Sequence, residues 1–344
     1  MVELAARAVI PFPKVATYMG AIVESLGAHN LTLRLEGDDI VVTSPFGGVG
    51  RVRPAERELH LAVEAPNPAA LNRLKHDLTS LIDFVARQEA LEIAWEGDAA
   101  GAVLPPDLRV LTVRDVRDLT PGMRRISFEG ERLDRFAVPD QIHCRLMFQA
   151  KGTGEPQWPQ LGDDGRVQWP RAGALATRIY TIRRIDAAAG RLDIDFVMHG
   201  GAGPGISWAT AAVPGDVAGI VGPAAHGPRP ADWYFLAGDE TGLPGIARIL
   251  EDLPAAARGV ALIEVAGTAE EQAIHAPPGF EVHWLHRGDA APGTTRQLAK
   301  AVRRVELPSA RYGIFFWGGA EFSAYREIRG YLRKEVGIAA SQVV

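Results

Sequence analysis

The period of the apolar positions changes twice along the 344 residues of the chain. Up to about residue 98, strand and helix patterns mix. Leu4 to Ile10 reads as a strand, and Val15, Met19, Ile22, Val23 and Leu26 recur at helical spacing. Leu31–Leu35 and Ile40–Thr43 flank Gly37-Asp38-Asp39, a hairpin signal, and Leu59–Val63 is a further strand. Asn67–Gln88 is a long helix, opened by a capping Asn67 and by Pro68 at the first helical position. Leu91–Trp95 closes this part. Between 107 and 227 only short strands are expected: Arg109–Asp115, Arg124–Phe128, His143–Phe148, Arg178–Ile185, Arg191–Met198 and Asp216–Val221. Six such strands with turn signals between them predict a closed antiparallel barrel. From 231 onward buried strands alternate with helices. The strands are Trp233–Ala237, Ala261–Ala266, Glu281–Leu285 and Tyr312–Phe316. The helices are Pro244–Leu253, Ala269–Ile274, Thr295–Val305 and Glu321–Val336. That order predicts a doubly wound parallel sheet.

Two stretches rich in proline and glycine, Gly97 to Pro106 and Gly222 to Pro230, punctuate the chain. The expected organisation is a small α/β domain over 1–98, a six-stranded β-barrel over 107–227 and an α/β domain over 231–344. The connection Lys151 to Ala176, between the third and fourth barrel strands, is long and rich in Gly, Pro and Trp, as functional loops often are.

Composition narrows the function classes. Apolar residues make up 47% and charged residues 23%, as in an ordinary globular protein, and the net charge of −5 favours neither nucleic acid nor a membrane surface. No run approaches 18 apolar residues, and the N-terminus lacks a signal-like pattern, so a cytoplasmic location is expected. The lone cysteine, Cys144, excludes an internal disulfide and a four-thiolate cluster in this chain. It lies in an apolar run and reads as a small buried hydrophobe. Redox chemistry here would need a bound organic cofactor.

Four segments carry candidate chemistry. In Arg178-Ile179-Tyr180-Thr181-Ile182-Arg183, alternation puts Arg178, Tyr180 and Ile182 on one face and Thr181 and Arg183 on the other. The layout of a barrel followed by a doubly wound domain resembles that of flavoproteins and so implies a flavin dinucleotide, which needs a cation for its pyrophosphate, a plane for its ring and a hydrogen bond at the ring edge. Arg178, Tyr180 and Thr181 can supply these in that order. Next, His199-Gly200-Gly201-Ala202-Gly203-Pro204-Gly205-Ile206-Ser207-Trp208 follows the fifth strand. Its glycines let N–H groups approach an anion, the helix expected from Gly205 would point its N-terminus there, and Ser207 adds a hydroxyl. Third, Leu236-Ala237-Gly238-Asp239-Glu240-Thr241-Gly242-Leu243-Pro244 lies at the first strand-to-helix turn of the α/β domain. It departs from the common glycine pattern of dinucleotide sites. Asp239 and Glu240 suit ribose or adenine donors, or helix capping, better than a pyrophosphate. Fourth, Phe315-Phe316-Trp317-Gly318-Gly319-Ala320-Glu321 leaves room beside the flavin for a nicotinamide.

A barrel followed by a doubly wound domain resembles the ferredoxin-reductase-like flavoproteins. The motifs sharpen this. Arg-x-Tyr-Thr-x-Arg, then His-Gly-x-x-Gly-Pro-x-x-x-Trp, then Gly-Asp-Glu-Thr-x-x-Pro resemble the siderophore-interacting protein family of ferric-siderophore reductases, over roughly residues 107 to 340. The N-terminal part resembles a small uncharacterised domain attached to some members. The chain departs from the family in having Ala320-Glu321 where Gly-Glu is usual. The aromatic-basic tail common in the family does not occur up to Val344, where this sequence stops, so it is either absent or lies beyond that point.

The resemblance implies FAD on the barrel, NADPH or NADH as hydride donor, and a ferric siderophore that alone holds the iron. FAD contacts are expected from Arg178, Tyr180, Thr181, Asp195, Val197, His199, Gly203, Gly205, Ile206, Ser207, Trp208 and Thr241. NAD(P)H contacts are expected from Gly238, Asp239, Glu240, Pro244, Arg287, Trp317, Gly318 and Glu321. Arg145, Arg183 and Arg171 are the expected basic residues around an anionic chelate. No side chain is needed as acid or base, no metal site is expected, and a monomer is the default. Two alternatives remain: a flavin or electron-transfer reductase serving a protein partner, and a non-enzymatic siderophore-binding module.

Overall fold

The computed structural model describes residues 4–28, 31–45, 47–98, 103–149, 154, 156–170, 175–198 and 203–344. They fall into two compact units: residues 1–107 with 157–172, and residues 108–156 with 173–344.

The first unit opens with β1 (Leu4–Pro11), α1 (Val15–Gly27), β2 (Thr32–Glu36), β3 (Asp39–Thr43), β4 (Val49–Pro54), β5 (Glu58–Ala65), α2 (Pro68–Val85) and β6 (Glu96–Gly97). The strands form one sheet in the order β2-β3-β4-β5-β1-β6. Alternation decides its faces: Ala6, Ala8 and Ile10 of β1 are buried, whereas Arg7 and Val9 are not. The buried face packs with Ile22 and Leu26 of α1 and Leu74 and Leu78 of α2. Asn67 caps α2 as expected, its side chain accepting from Ala70 N at 2.9 Å. One detail differs from the sequence pattern. β4 was not legible, because its core face offers only Gly50 and Val52 between exposed or half-buried arginines. Leu91–Trp95, which closes this part of the sequence, has no regular secondary structure. Trp95 packs against the core and donates from Nε1 to Thr79 Oγ1 at 3.1 Å.

The second unit begins with β7 (Leu108–Thr120), β8 (Met123–Glu129) and β9 (Gln141–Phe148). After β9 the chain makes a short hairpin of β10 (Gln160–Leu161) and β11 (Val167–Gln168). It continues as β12 (Ala176–Asp186), β13 (Arg191–Val197), α3 (Pro204–Ala211) and β14 (Val217–His226). The expected six strands close into a barrel in the order β12-β13-β8-β7-β14-β9. Phe128, Phe148, Phe196 and Trp208 fill its interior. There follow β15 (Trp233–Gly238), α4 (Leu243–Asp252), β16 (Arg258–Val265), β17 (Gly279–His286), α5 (Gln297–Arg304), β18 (Ile314–Gly319) and α6 (Phe322–Tyr331). All four strands are parallel, in the order β17-β16-β15-β18, with core on both faces of the sheet. The helix expected over Ala269–Ile274 is only a short turn at Thr268–Glu270. The architecture is the expected succession of a closed antiparallel barrel and a doubly wound parallel sheet.

The β10–β11 hairpin, expected as a loop of the barrel, belongs by its contacts to the first unit. Leu161 is 1% exposed and pairs with Val103. The buried Lys75 ammonium donates to the carbonyls of Asp98 at 3.0 Å and Asp163 at 3.3 Å. His76 Nδ1 lies 2.8 Å from the Gly165 carbonyl, and Arg166 reaches Asp83 at 3.0 Å.

Candidate functional site

The strand order reverses between β15 and β18, and in open parallel sheets ligands bind outside the strand ends at such a switch point. Here the two strand-to-helix turns interlock. Asp239 N donates to Gly319 O at 3.1 Å, and a Cβ on Gly242 would collide with that same carbonyl. Only glycine permits this approach.

A cleft of about 460 Å³ opens beside these turns. Barrel residues Arg178, Tyr180, Thr181, Asp195 and Val197 line it, as do Gly203, Gly205 and Ile206 at the start of α3. Thr241, Pro244, Gly319 and Ala320 line it from the parallel-sheet side. Tyr180 rests against Phe196 at a 4.5 Å centroid distance, and its hydroxyl sits so close to Gly205 that a Cβ there would collide with it. Burial pushes the Tyr180 phenol up to about 12, so it stays protonated at neutral pH. Arg178 is exposed, and among the described residues no carboxylate pairs with it; its Nη1 donates to Thr177 O at 2.8 Å. Gly203 caps α3 and Pro204 takes the first helical position, leaving the first-turn N–H groups without partners inside the helix. Cation and helix N-terminus thus share one cleft with an aromatic plane and the Thr181 hydroxyl.

Family profiles match most of the chain: "Siderophore-interacting FAD-binding domain" over residues 112–227 and "Siderophore-interacting protein" over residues 231–344. The ferric vibriobactin reductase of Vibrio cholerae is 31% identical over 230 residues, 65% of this chain and 83% of that protein. The chain belongs to the siderophore-interacting protein family. A solved siderophore utilization protein from T. fusca shares 40% identity, with a TM-score of 0.62, over 70% of this chain and 92% of that one. The NADPH-dependent ferric-chelate reductase of Escherichia coli is 30% identical over 217 residues, 61% of this chain and 81% of that protein. Residues 7–96 match a further profile, described only as an uncharacterized protein conserved in bacteria.

For a siderophore-interacting protein carrying an FAD-binding domain, the cleft passes the test of fit. Arg178, which no carboxylate pairs among the described residues, the open N-terminus of α3 and the Gly205 cradle under Tyr180 match a dinucleotide flavin. Several expected contacts take other roles. Asp195 reaches the cleft, but its carboxylate is bound bidentately by Arg125 at 2.6 and 2.8 Å. Trp208 is 6% exposed and packs on Phe148 inside the barrel, while Ser207 is exposed and outside the cleft lining. Asp239 accepts from Thr241 N and Oγ1 and from Glu321 N, so it braces the turn instead of facing a ligand. Glu240 and Arg287 are spent on each other at 2.5 Å. Glu321 caps α6 by accepting from Ser323 N at 2.8 Å, and Gly318 N donates to Val344 O at 2.8 Å. Trp317 is 3% exposed and lies behind the cleft.

Arg183 corrects the substrate expectation most clearly. It is 4% exposed and grips Glu251 of α4 through Nη1 at 2.7 Å and Nη2 at 2.5 Å, tying barrel to parallel sheet. Burial alone would raise the Glu251 pKa, but these hydrogen bonds hold it below the usual carboxylate range. Arg145, by contrast, is exposed and lies in register with cleft-lining Ile179. Arg171 and His199 lie outside the described residues. Sequence reasoning missed His143 and Ile179 in the lining. Ile179 was legible, since it lies inside the Arg178–Thr181 motif, whereas His143 reaches the lining through pairing opposite Thr181, which only the folded chain creates.

Proposed function

We propose that this protein is a cytoplasmic oxidoreductase that uses NAD(P)H and bound FAD to reduce the iron of a ferric siderophore. The observation that carries the reading is the single cleft in which the barrel's Arg178, Tyr180 and Thr181 meet the switch point of the parallel sheet. In this reading Arg178 and the α3 N-terminus hold the pyrophosphate, Tyr180 supports the ring and Thr181 bonds its edge. FAD held there would supply the step from a two-electron hydride to single electrons for ferric iron. Gly319 and Ala320, lacking bulk, leave space for the nicotinamide. The names of the Vibrio cholerae and Escherichia coli relatives favour a ferric chelate as acceptor and NADPH as donor. Arg145, at the rim beside the apolar Ile179, is the cation an anionic chelate would meet.

Anaerobic stopped-flow absorbance tests this. The purified protein should release FAD on denaturation, be bleached by NADPH or NADH, and be reoxidised by ferric siderophores. Arg145→Ala should raise KM for an anionic ferric siderophore about tenfold, the scale of one charge-assisted contact, and leave flavin reduction unchanged. Release of FMN alone, or equal losses in both half-reactions, would contradict the reading.

A further inference from the structure

A hydride brings two electrons and one proton. When the two electrons leave singly, reducing two ferric ions to two ferrous ions, one proton is left behind and must leave the cleft. We propose that His143 is the acceptor of that proton, an inference that rests on the reading above.

Position comes first. His143 lines the cleft and stands in register with Thr181 of β12 on one side and Ala224 of β14 on the other. Its ring stacks on Trp317 at 6.1 Å between centroids and 16° between planes. Trp317 is buried against Gly245 and Gly319, so the imidazole has a rigid backing.

Elimination comes second. Asp195, on β13, is bound to Arg125, with Arg183 Nε 3.9 Å away. Asp239, on the β15 turn, accepts three hydrogen bonds from Thr241 and Glu321. Glu321 itself caps α6. Tyr180, on β12, keeps its proton because burial raises it to about 12, and Arg178 on the same strand is a permanent cation. Cys144, next in β9, is wholly buried in the barrel core, which pushes its thiol up. Arg248 of α4 is engaged with the Ile182 carbonyl at 2.7 Å. Among the described residues this leaves His143 as the one cleft-lining group of a type that exchanges a proton between about pH 5 and 8. Histidine is also the commonest side chain in general acid–base steps.

The test uses His143→Gln, which keeps a polar tip, and His143→Phe, which keeps the stack on Trp317. FAD content and FAD affinity of both are measured first, so that each half-reaction is compared at saturating FAD. Reduction by NADPH should fall far less than reoxidation. Anaerobic reoxidation by ferric citrate at pH 7 should fall about a hundredfold or more in both, the lower end of what proton transfer by a positioned side chain supplies. The wild-type reoxidation rate should rise through one titration between pH 5 and 8, and the variants should lack that step. Independently of turnover, the His143 ring signal in the NMR spectrum of oxidised protein should titrate over the same range. An unchanged pH profile, a His143 ring that does not titrate, or equal losses in both half-reactions at saturating FAD would each overturn the proposal. A wild-type protein that NADPH fails to reduce would instead overturn the functional reading on which it rests.

Discussion

Tyr180 and Gly205 show what a single residue contributes here. They lie 25 positions apart, yet the phenol hydroxyl occupies the space a Cβ on Gly205 would need. Gly205→Val should therefore push Tyr180 out of place and release flavin, measured as the flavin-to-protein absorbance ratio after purification. Tyr180→Phe in the same chain removes the colliding oxygen and should recover part of the flavin. No recovery would mean that the valine blocks the ligand directly. The arginines divide by their partners. Sequence sets Arg178 apart for a pyrophosphate but treats Arg145 and Arg183 alike, as basic residues around an anionic chelate. Arg183 is taken by Glu251 and Arg178 has no carboxylate among the described residues. That difference arises from an acid 68 positions away. It could not have been read from Arg183 and its neighbours.

Among the elements, the β10–β11 hairpin departs most from its sequence pattern. A stretch of Gly, Pro and Trp between two barrel strands reads as a loop, because two-residue strands carry no periodicity. Tertiary contacts give it structure: buried Leu161, and a Lys75 ammonium held by two carbonyls. Burial lowers the Lys75 pKa against the opposing charges of Asp163 and Asp98. Lys75→Met should keep the packing of α2 but leave both carbonyls unsatisfied, at a cost of about 1–3 kcal/mol. The expected readout is faster limited proteolysis within 157–172 and a lower unfolding midpoint for the first unit, with FAD content unchanged. Equal protease resistance would mean that apolar contacts alone hold the hairpin. The missing helix at Ala269–Ile274 has a plainer cause. Pro277-Pro278 follows at once, and Glu270 is taken up by Thr120 Oγ1 at 2.5 Å and Gly122 N at 3.1 Å.

For the whole molecule, the first unit has its own core and the hairpin as its only later segment. A chain starting near residue 102 should still fold its barrel and parallel sheet and retain FAD. Its 157–172 segment, stripped of α2, should become the main site of protease attack. Loss of flavin on truncation would show that the first unit supports the cleft. Among the described residues no helix is long and apolar enough to cross a membrane.

Local pattern determined much of this. Periods of two and 3.6 residues set the barrel strands and the parallel sheet, because side-chain direction follows directly from backbone geometry. The order of the motifs identified the family, and Arg178-x-Tyr180-Thr181 with the Gly203–Ile206 turn marked the cleft that the fold then assembled. Tertiary structure alone decided which charges are free. Asp195, Asp239, Glu240 and Arg183 look like ligand groups in sequence and are spent on partners remote along the chain or, for Asp239, on the turn it braces. Burying an ionised group is costly unless it is paired, so its availability depends on which distant residue the fold brings beside it. His143 entered the cleft in the same way, through strand pairing with Thr181 and a stack on Trp317 that only the folded chain creates.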